Sequence, residues 1–220
     1  VNNAADYIRD NLSNGYLNFG ISGVTYEITG EALKEFYYNS DIRYYVFKSQ
    51  GVSVRADKNS FFDFGLEKAT VALSPNGFNV SFFYQNGSEK KLSELSLPAY
   101  YSVPWENANS RTTASFNGVT VPALSYDEGI LEFETKLVGS FTIINFEFAD
   151  VTESFRWYYN YVNSAGALGI LDGMGGNNFE PKSNVTRAQL AAMIVKATQD
   201  IVSYRIDPTL SFSDVPEGKW

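Results

Sequence analysis

Neither cysteine nor histidine occurs anywhere in the 220 residues. The first absence removes disulfides, thiolate metal sites and cysteine nucleophiles. The second removes Ser-His-Asp triads, Cys-His dyads, the usual zinc and iron sites and the commonest general base near neutral pH. Positive charge is scarce as well: 17 Lys and Arg stand against 25 Asp and Glu, a net charge of −8. A polyanion gains little from such a surface, so nucleic acid is not an expected partner. No apolar run approaches the roughly 18 to 20 residues that cross a bilayer, so no membrane span is expected.

What is present suits a folded chain. Hydrophobic residues make up 44%, with 15 Tyr and 17 Phe, enough apolar surface for a sizeable core. Seven prolines among 220 residues do not suggest disorder. The length predicts one large domain, or a domain plus something smaller. The chain opens on Val1 with no leader-like stretch, which predicts a piece of a longer, exported precursor. The lack of cysteine fits export from a Gram-positive-type bacterium.

Residues 1–147 read mostly as strand and turn. Ala4–Leu12 and Gly30–Tyr38 have helical spacing. Elsewhere the period is two: Ile42–Phe47, Val52–Arg55, Ala69–Leu73 and Phe78–Tyr84 are rich in β-branched and aromatic residues. Ser74-Pro75-Asn76-Gly77, Asn86-Gly87, Asn117-Gly118 and Tyr126-Asp127-Glu128-Gly129 carry turn chemistry. In the last hairpin Leu131, Phe133, Thr135 and Leu137 alternate with Glu132, Glu134 and Lys136, and Phe141–Phe148 returns as a strand. Short strands at this spacing predict a β-sandwich or open barrel.

The texture changes after Phe148. Trp157, Tyr158, Tyr161, Val162, Ala165 and Leu168 have helical spacing, and a glycine-rich stretch, Gly173-Met174-Gly175-Gly176, follows. Thr186-Arg187-Ala188-Gln189 has the form of a capping box, with Val185 and Leu190 placed as a hydrophobic staple. The helix behind it is expected to bury Leu190, Met193, Ile194 and Ala197. Phe148-Ala149-Asp150-Val151 before Trp157 is echoed by Phe212-Ser213-Asp214-Val215 before Trp220, the pattern of a tandem repeat.

Phe148-x-Asp150-Val151, Trp157, Val162, Ala165, Gly169-Ile170, Gly173, Phe179-x-Pro181 and Val185-Thr186-Arg187-Ala188-Gln189 together resemble the S-layer homology (SLH) domain. The resemblance covers one repeat and the start of another. It implies a three-lobed bundle that binds secondary cell wall polysaccharide, often pyruvylated, and so holds a protein on the bacterial surface. Carried over, the ligand-binding positions are Trp157, Gly173, Gly175, Gly176 and Arg187. An Arg fork suits the carboxylate of a pyruvate ketal, and a helix N-terminus favours an anion. Each residue also has a plainer reading: Trp157 as a core anchor, the glycines as a chain reversal, Arg187 as a partner of Asp150 or Asp172. Where the family motif often has Glu, this chain has Gln189.

The expected fold class is therefore α+β: a β-sandwich-like domain with minor helices over 1–147, a small helical SLH repeat over 148–205, and the beginning of a second, truncated repeat over 206–220. The expected function is non-catalytic: a secreted fragment anchored at the cell wall or S-layer, with self-association through uncovered SLH helix faces. The alternative is a carbohydrate-binding or adhesive module of a wall-associated carbohydrate-active enzyme. No catalytic residue, metal site or cofactor is expected. Glu132 and Glu134 have a glycosidase-like separation of about 7 Å, but their strand reads as a solvated edge on which nothing else converges. Asp172 with Asn177 and Asn178 offers calcium one carboxylate, too few for an oxygen cage. The glycine stretch follows no strand, which excludes a dinucleotide fingerprint. The aromatic run Pro98–Trp105 is read as a sandwich-edge plug or a sugar-binding loop.

Overall fold

Two short helices are set by their caps. The Asn3 side chain accepts from the Asp6 N–H at 3.2 Å and starts α1 (Ala4–Asn11). Thr29 accepts from the Ala32 N–H at 3.3 Å and starts α2 (Gly30–Tyr38), which buries Ala32, Leu33 and Phe36. A computed structural model describes residues 3–20, 25–154 and 156–198 of the chain. The chain divides into two compact units, Val1–Pro181 and Lys182–Trp220.

The first unit is dominated by strands. Before the middle of the chain come β1 (Leu12–Ser13), β2 (Tyr16–Gly20), β3 (Thr25–Thr29), β4 (Tyr44–Ser49), β5 (Val52–Asp57), β6 (Leu66–Ser74) and β7 (Gly77–Tyr84). Then follow β8 (Glu89–Lys91), β9 (Glu94–Pro104), β10 (Thr112–Phe116), β11 (Val119–Asp127), β12 (Ile130–Leu137) and β13 (Gly139–Asn145). They form one sheet in the order β1-β2-β4-β5-β9-β12-β11-β10-β13-β7-β6-β3, with β8 beside β7. Among the described pairs only β2 and β4 run parallel. The hairpin at Ser74–Gly77 and the turns at Asn117-Gly118 and Glu128-Gly129 fall where the turn residues place them.

Aromatic contacts show the sheet curling over itself. The Tyr101 ring on β9 stacks on Phe133 of β12 at 4.9 Å and meets Phe78 of β7 and Phe141 of β13 edge-on. Phe47 on β4 contacts Phe19 of β2, Tyr26 of β3 and Phe78. Both ends of the strand order thus share one core. The Tyr101 hydroxyl donates to the Leu137 carbonyl at 2.8 Å, the partner a buried phenol requires.

Two parts of the expected α+β class are corrected. The β region is not a sandwich of two separate sheets, because β13 changes partner along its length. Phe141–Asn145 pair with β10, while Gly139 and Ser140 pair with Phe78 and Gly77 of β7. That seam makes the sheet continuous and the molecule mostly β. Nor does the segment from Phe148 stand apart as a small helical repeat. Its first helix, α3 (Tyr159–Ala167), lies against β11 in the same compact unit as the sheet. Arg111, just before β10, donates to the Tyr159 hydroxyl at 2.8 Å and lies over its ring, and Ser110 bonds Ser164. Glu132 and Glu134 are likewise not on an edge strand: β12 runs between β9 and β11.

Candidate functional site

The segment after β13 is built on a small apolar cluster of Phe148, Val151 and Tyr159, flanked by Phe146, Val162, Leu171 and Phe179. The sequence places the apolar face of α3 through Trp157, Tyr158, Tyr161, Val162, Ala165 and Leu168, of which the structure keeps Tyr158, Val162 and Ala165 half-buried. The structure rotates it: Tyr159, Asn163, Gly166 and Ala167 are buried, while Trp157 (82% exposed), Tyr161 and Leu168 face outward. The reason lies in backbone satisfaction and close approach. Asn163, fully buried, accepts from the Phe148 N–H at 2.9 Å and donates to the Val151 carbonyl at 3.1 Å, so one amide pairs two buried backbone groups. Gly166 lets the Phe146 and Phe148 rings approach where any Cβ would overlap them. Sequence reasoning passed over Asn163, since a polar residue in a helix reads as solvent-facing.

The glycine stretch is a tight loop fastened to residues 147–150. Met174 N–H donates to the Asn178 carbonyl at 2.7 Å, and Asn178 N–H returns to the Gly175 carbonyl at 3.0 Å. The Asn177 carbonyl accepts from Ala149 N–H, and its side chain donates to the Glu147 carbonyl. Gly173 has φ +73° and a Cβ there would meet the Asn178 carbonyl, so this glycine serves the turn. Gly175 and Gly176 are exposed, and nothing lies within 4 Å of where a Gly175 Cβ would point.

Asp150 holds the end of this loop. Its two carboxylate oxygens accept from the N–H groups of Phe179 at 2.8 Å and Glu180 at 2.7 Å. Burial works to raise its pKa, but hydrogen bonds from the backbone of Phe179, Glu180 and Asp150 itself outweigh it and hold the carboxyl below its ordinary value. The carboxylate of the motif therefore organises the loop.

In the second unit α4 (Arg187–Thr198) begins with the expected box. Gln189 N–H donates to Thr186 Oγ1 at 3.2 Å, and Gln189 Oε1 accepts from the Thr186 N–H at 2.9 Å. Arg187, the first helical residue, is exposed. The helix buries none of its residues: Leu190, Ile194 and Val195 are exposed, contrary to the burial expected for Leu190, Met193, Ile194 and Ala197. Trp157 and the glycine loop thus belong to the first unit and Arg187 to the second. The second motif copy, Phe212 to Trp220, and the segment 206–220 lie outside the described residues. Among the described residues no group of three or more acidic, His or Cys side chains could hold a metal, and no helix is long and apolar enough to cross a membrane.

Residues 147–191 match the family model of the S-layer homology domain. Over 89 residues the chain is 32% identical to an amylopullulanase of Thermoanaerobacterium thermosulfurigenes, a match covering 40% of this chain and 4% of that protein. No solved structure matches the chain.

Proposed function

We propose that this chain is a non-catalytic part of a bacterial surface protein, held to secondary cell wall polysaccharide through the S-layer homology domain at residues 147–191. The family match carries the reading, since this domain is a cell-surface anchoring module that binds wall polysaccharide. In this proposal residues 1–147 form a β-rich spacer, and 148–205 and 206–220 are one repeat and the beginning of the next. The ligand groups are the Trp157 ring, the open backbone at Gly175 and Gly176, and the Arg187 guanidinium, with Gly173 shaping the loop. A flat exposed indole suits a sugar face. An exposed Arg at a helix start suits a carboxylate, which favours a pyruvylated polymer. The exposed Leu190, Ile194 and Val195 give α4 an apolar strip through which copies associate.

Co-sedimentation with purified cell walls tests this reading. Wild type is expected in the pellet, with Trp157→Ala and Arg187→Ala depleted from it, and walls stripped of pyruvate retaining less protein. Retention of all three proteins alike on both wall preparations would refute it. A second reading, that the β unit serves a carbohydrate-active enzyme, is favoured by the amylopullulanase similarity. Polysaccharide hydrolysis that vanishes in Glu132→Gln or Glu134→Gln would establish it.

A further inference from the structure

The outward face of the sheet carries an arrangement the anchoring role leaves unused. Register sets Arg55 of β5 beside Tyr100 of β9, and Tyr100 beside Glu134 of β12. One row along lie Lys48, Ser53, Ser102 and Glu132. At the β2–β4 end the Tyr16 and Tyr44 rings stack at 5.6 Å and 21°. The Arg55 guanidinium lies over the Tyr100 ring at 4.3 Å and the Tyr44 ring at 5.6 Å, bracketed by two aromatics. All of these side chains except Tyr44 and Glu134 border an open groove of about 590 Å³, within the ordinary range for ligand sites.

Several of its polar groups lack partners, while Glu132 accepts from the Ser125 hydroxyl and Asn18 donates to the Asn11 and Tyr16 carbonyls. Arg55 Nε is buried with no hydrogen bond among the described residues. Lys48, Ser53, Tyr100 and Ser102 likewise form no side-chain hydrogen bond among the described residues, and none has an interaction beyond those given. Some other tyrosines of this unit have their hydroxyls paired within the protein. The hydroxyls of Tyr7, Tyr26, Tyr84 and Tyr101 all donate to protein acceptors. A buried, unpaired guanidinium nitrogen costs stability unless something satisfies it. The groove thus presents ring faces and unspent donors and acceptors together.

We propose that this face is a second saccharide site, separate from the anchoring segment, which takes pyranose rings of a neutral polysaccharide laid across β2, β4, β5, β9 and β12. Sugar rings have one chemistry that matches both halves of the groove: C–H faces for the tyrosine rings and hydroxyls for Arg55, Lys48, the serines and Glu132. Lys48 and Arg55 share this face with Glu132, Glu134 and Asp57, so it carries charges of both signs rather than a basic patch for an anionic polymer. The four strands from β2 to β9 span about 14 Å, which gives a chain several contacts. Aliphatic side chains in the groove are few, chiefly Val46 and Leu124, so it lacks the apolar centre a protein partner would need.

Affinity electrophoresis of the full chain through gels containing soluble starch, hydroxyethylcellulose or arabinoxylan tests the proposal. At least one polymer is expected to retard the wild type. Tyr100→Ala should weaken that retardation at least tenfold and Tyr100→Trp should restore it. Tyr100 is 39% exposed, and equal thermal midpoints would show that its replacement leaves the fold intact. Arg187→Ala should run as wild type here even though it loses cell walls, which separates this site from the anchoring one. No retardation by any of the three polymers, equal retardation of wild type and Tyr100→Ala, or loss of retardation in Arg187→Ala would each overturn the proposal.

Discussion

Arg187 places a positive charge at the helix end whose backbone N–H groups already carry partial positive charge. Replacing it with Ala should leave the unfolding midpoint unchanged or slightly raised. Binding to purified wall polysaccharide should fall by about 1.5–3 kcal/mol, the scale of a hydrogen bond to a charged group. Titration calorimetry with the same polymer checks both halves, and equal affinity would remove Arg187 from the site. Asn163 is the structural counterpart. Asn163→Ala strips partners from the Phe148 N–H and the Val151 carbonyl, at about 1–3 kcal/mol for each buried group left unpaired. Urea unfolding should show this loss, and a change below about 0.5 kcal/mol would mean that the 148–163 clamp contributes little. Asp150 gives a pH signature. Its folded pKa lies below the unfolded value of about 3.9, so its stabilisation is complete above that pH and disappears as pH falls through the lower, folded value. Wild type should therefore lose more stability than Asp150→Asn over that acid range, and parallel pH curves would contradict the assignment.

At the scale of the element, caps and turns were legible because their causes are local. Thr186 and Gln189 are three residues apart, and reading them in order gave the start of α4. Thr186→Ala should cost this helix about 1 kcal/mol, seen as faster amide exchange in its first turns. Unchanged exchange would show that the box adds nothing. The same holds for α1, α2 and the strands β4 to β7, whose periodicity and bounding turns lie within their own stretches, whereas β1, β2 and β3 carried no such signal. The face of α3 was not legible. Its apolar spacing points through Trp157 and Tyr161, yet burial was decided by Phe146 and Phe148, which need a glycine and an amide opposite them. The partner change of β13 was equally hidden, since nothing in Gly139-Ser140 announces pairing with Gly77 and Phe78. The candidate residues came from two different kinds of signal. The family spacing picked out Trp157, the glycine loop and Arg187, whereas Tyr100, Arg55 and Tyr16 converge only after four strands have paired.

For the molecule as a whole, all thirteen described strands and both apolar clusters precede Lys182. A chain ending at Pro181 should therefore keep the β-type circular dichroism of the full chain and its main melting transition. A midpoint more than about 8 °C lower would show that the first unit depends on the second, since about 1 kcal/mol shifts a domain of this size by 2–4 °C. The seam at β13 also has a meaning in time. The hairpins on either side of it are local and close in microseconds. The seam must bring together chain positions about sixty residues apart, a closure whose entropy is lost before any contact repays it. Until it forms, one flank of β7 and one of β13 are bare edges, and the aromatic interior around Tyr101 and Phe78 is open to water. Two residue pairs thus set when the newly made chain stops being sticky, and a crowded environment would reward whatever hastens their meeting.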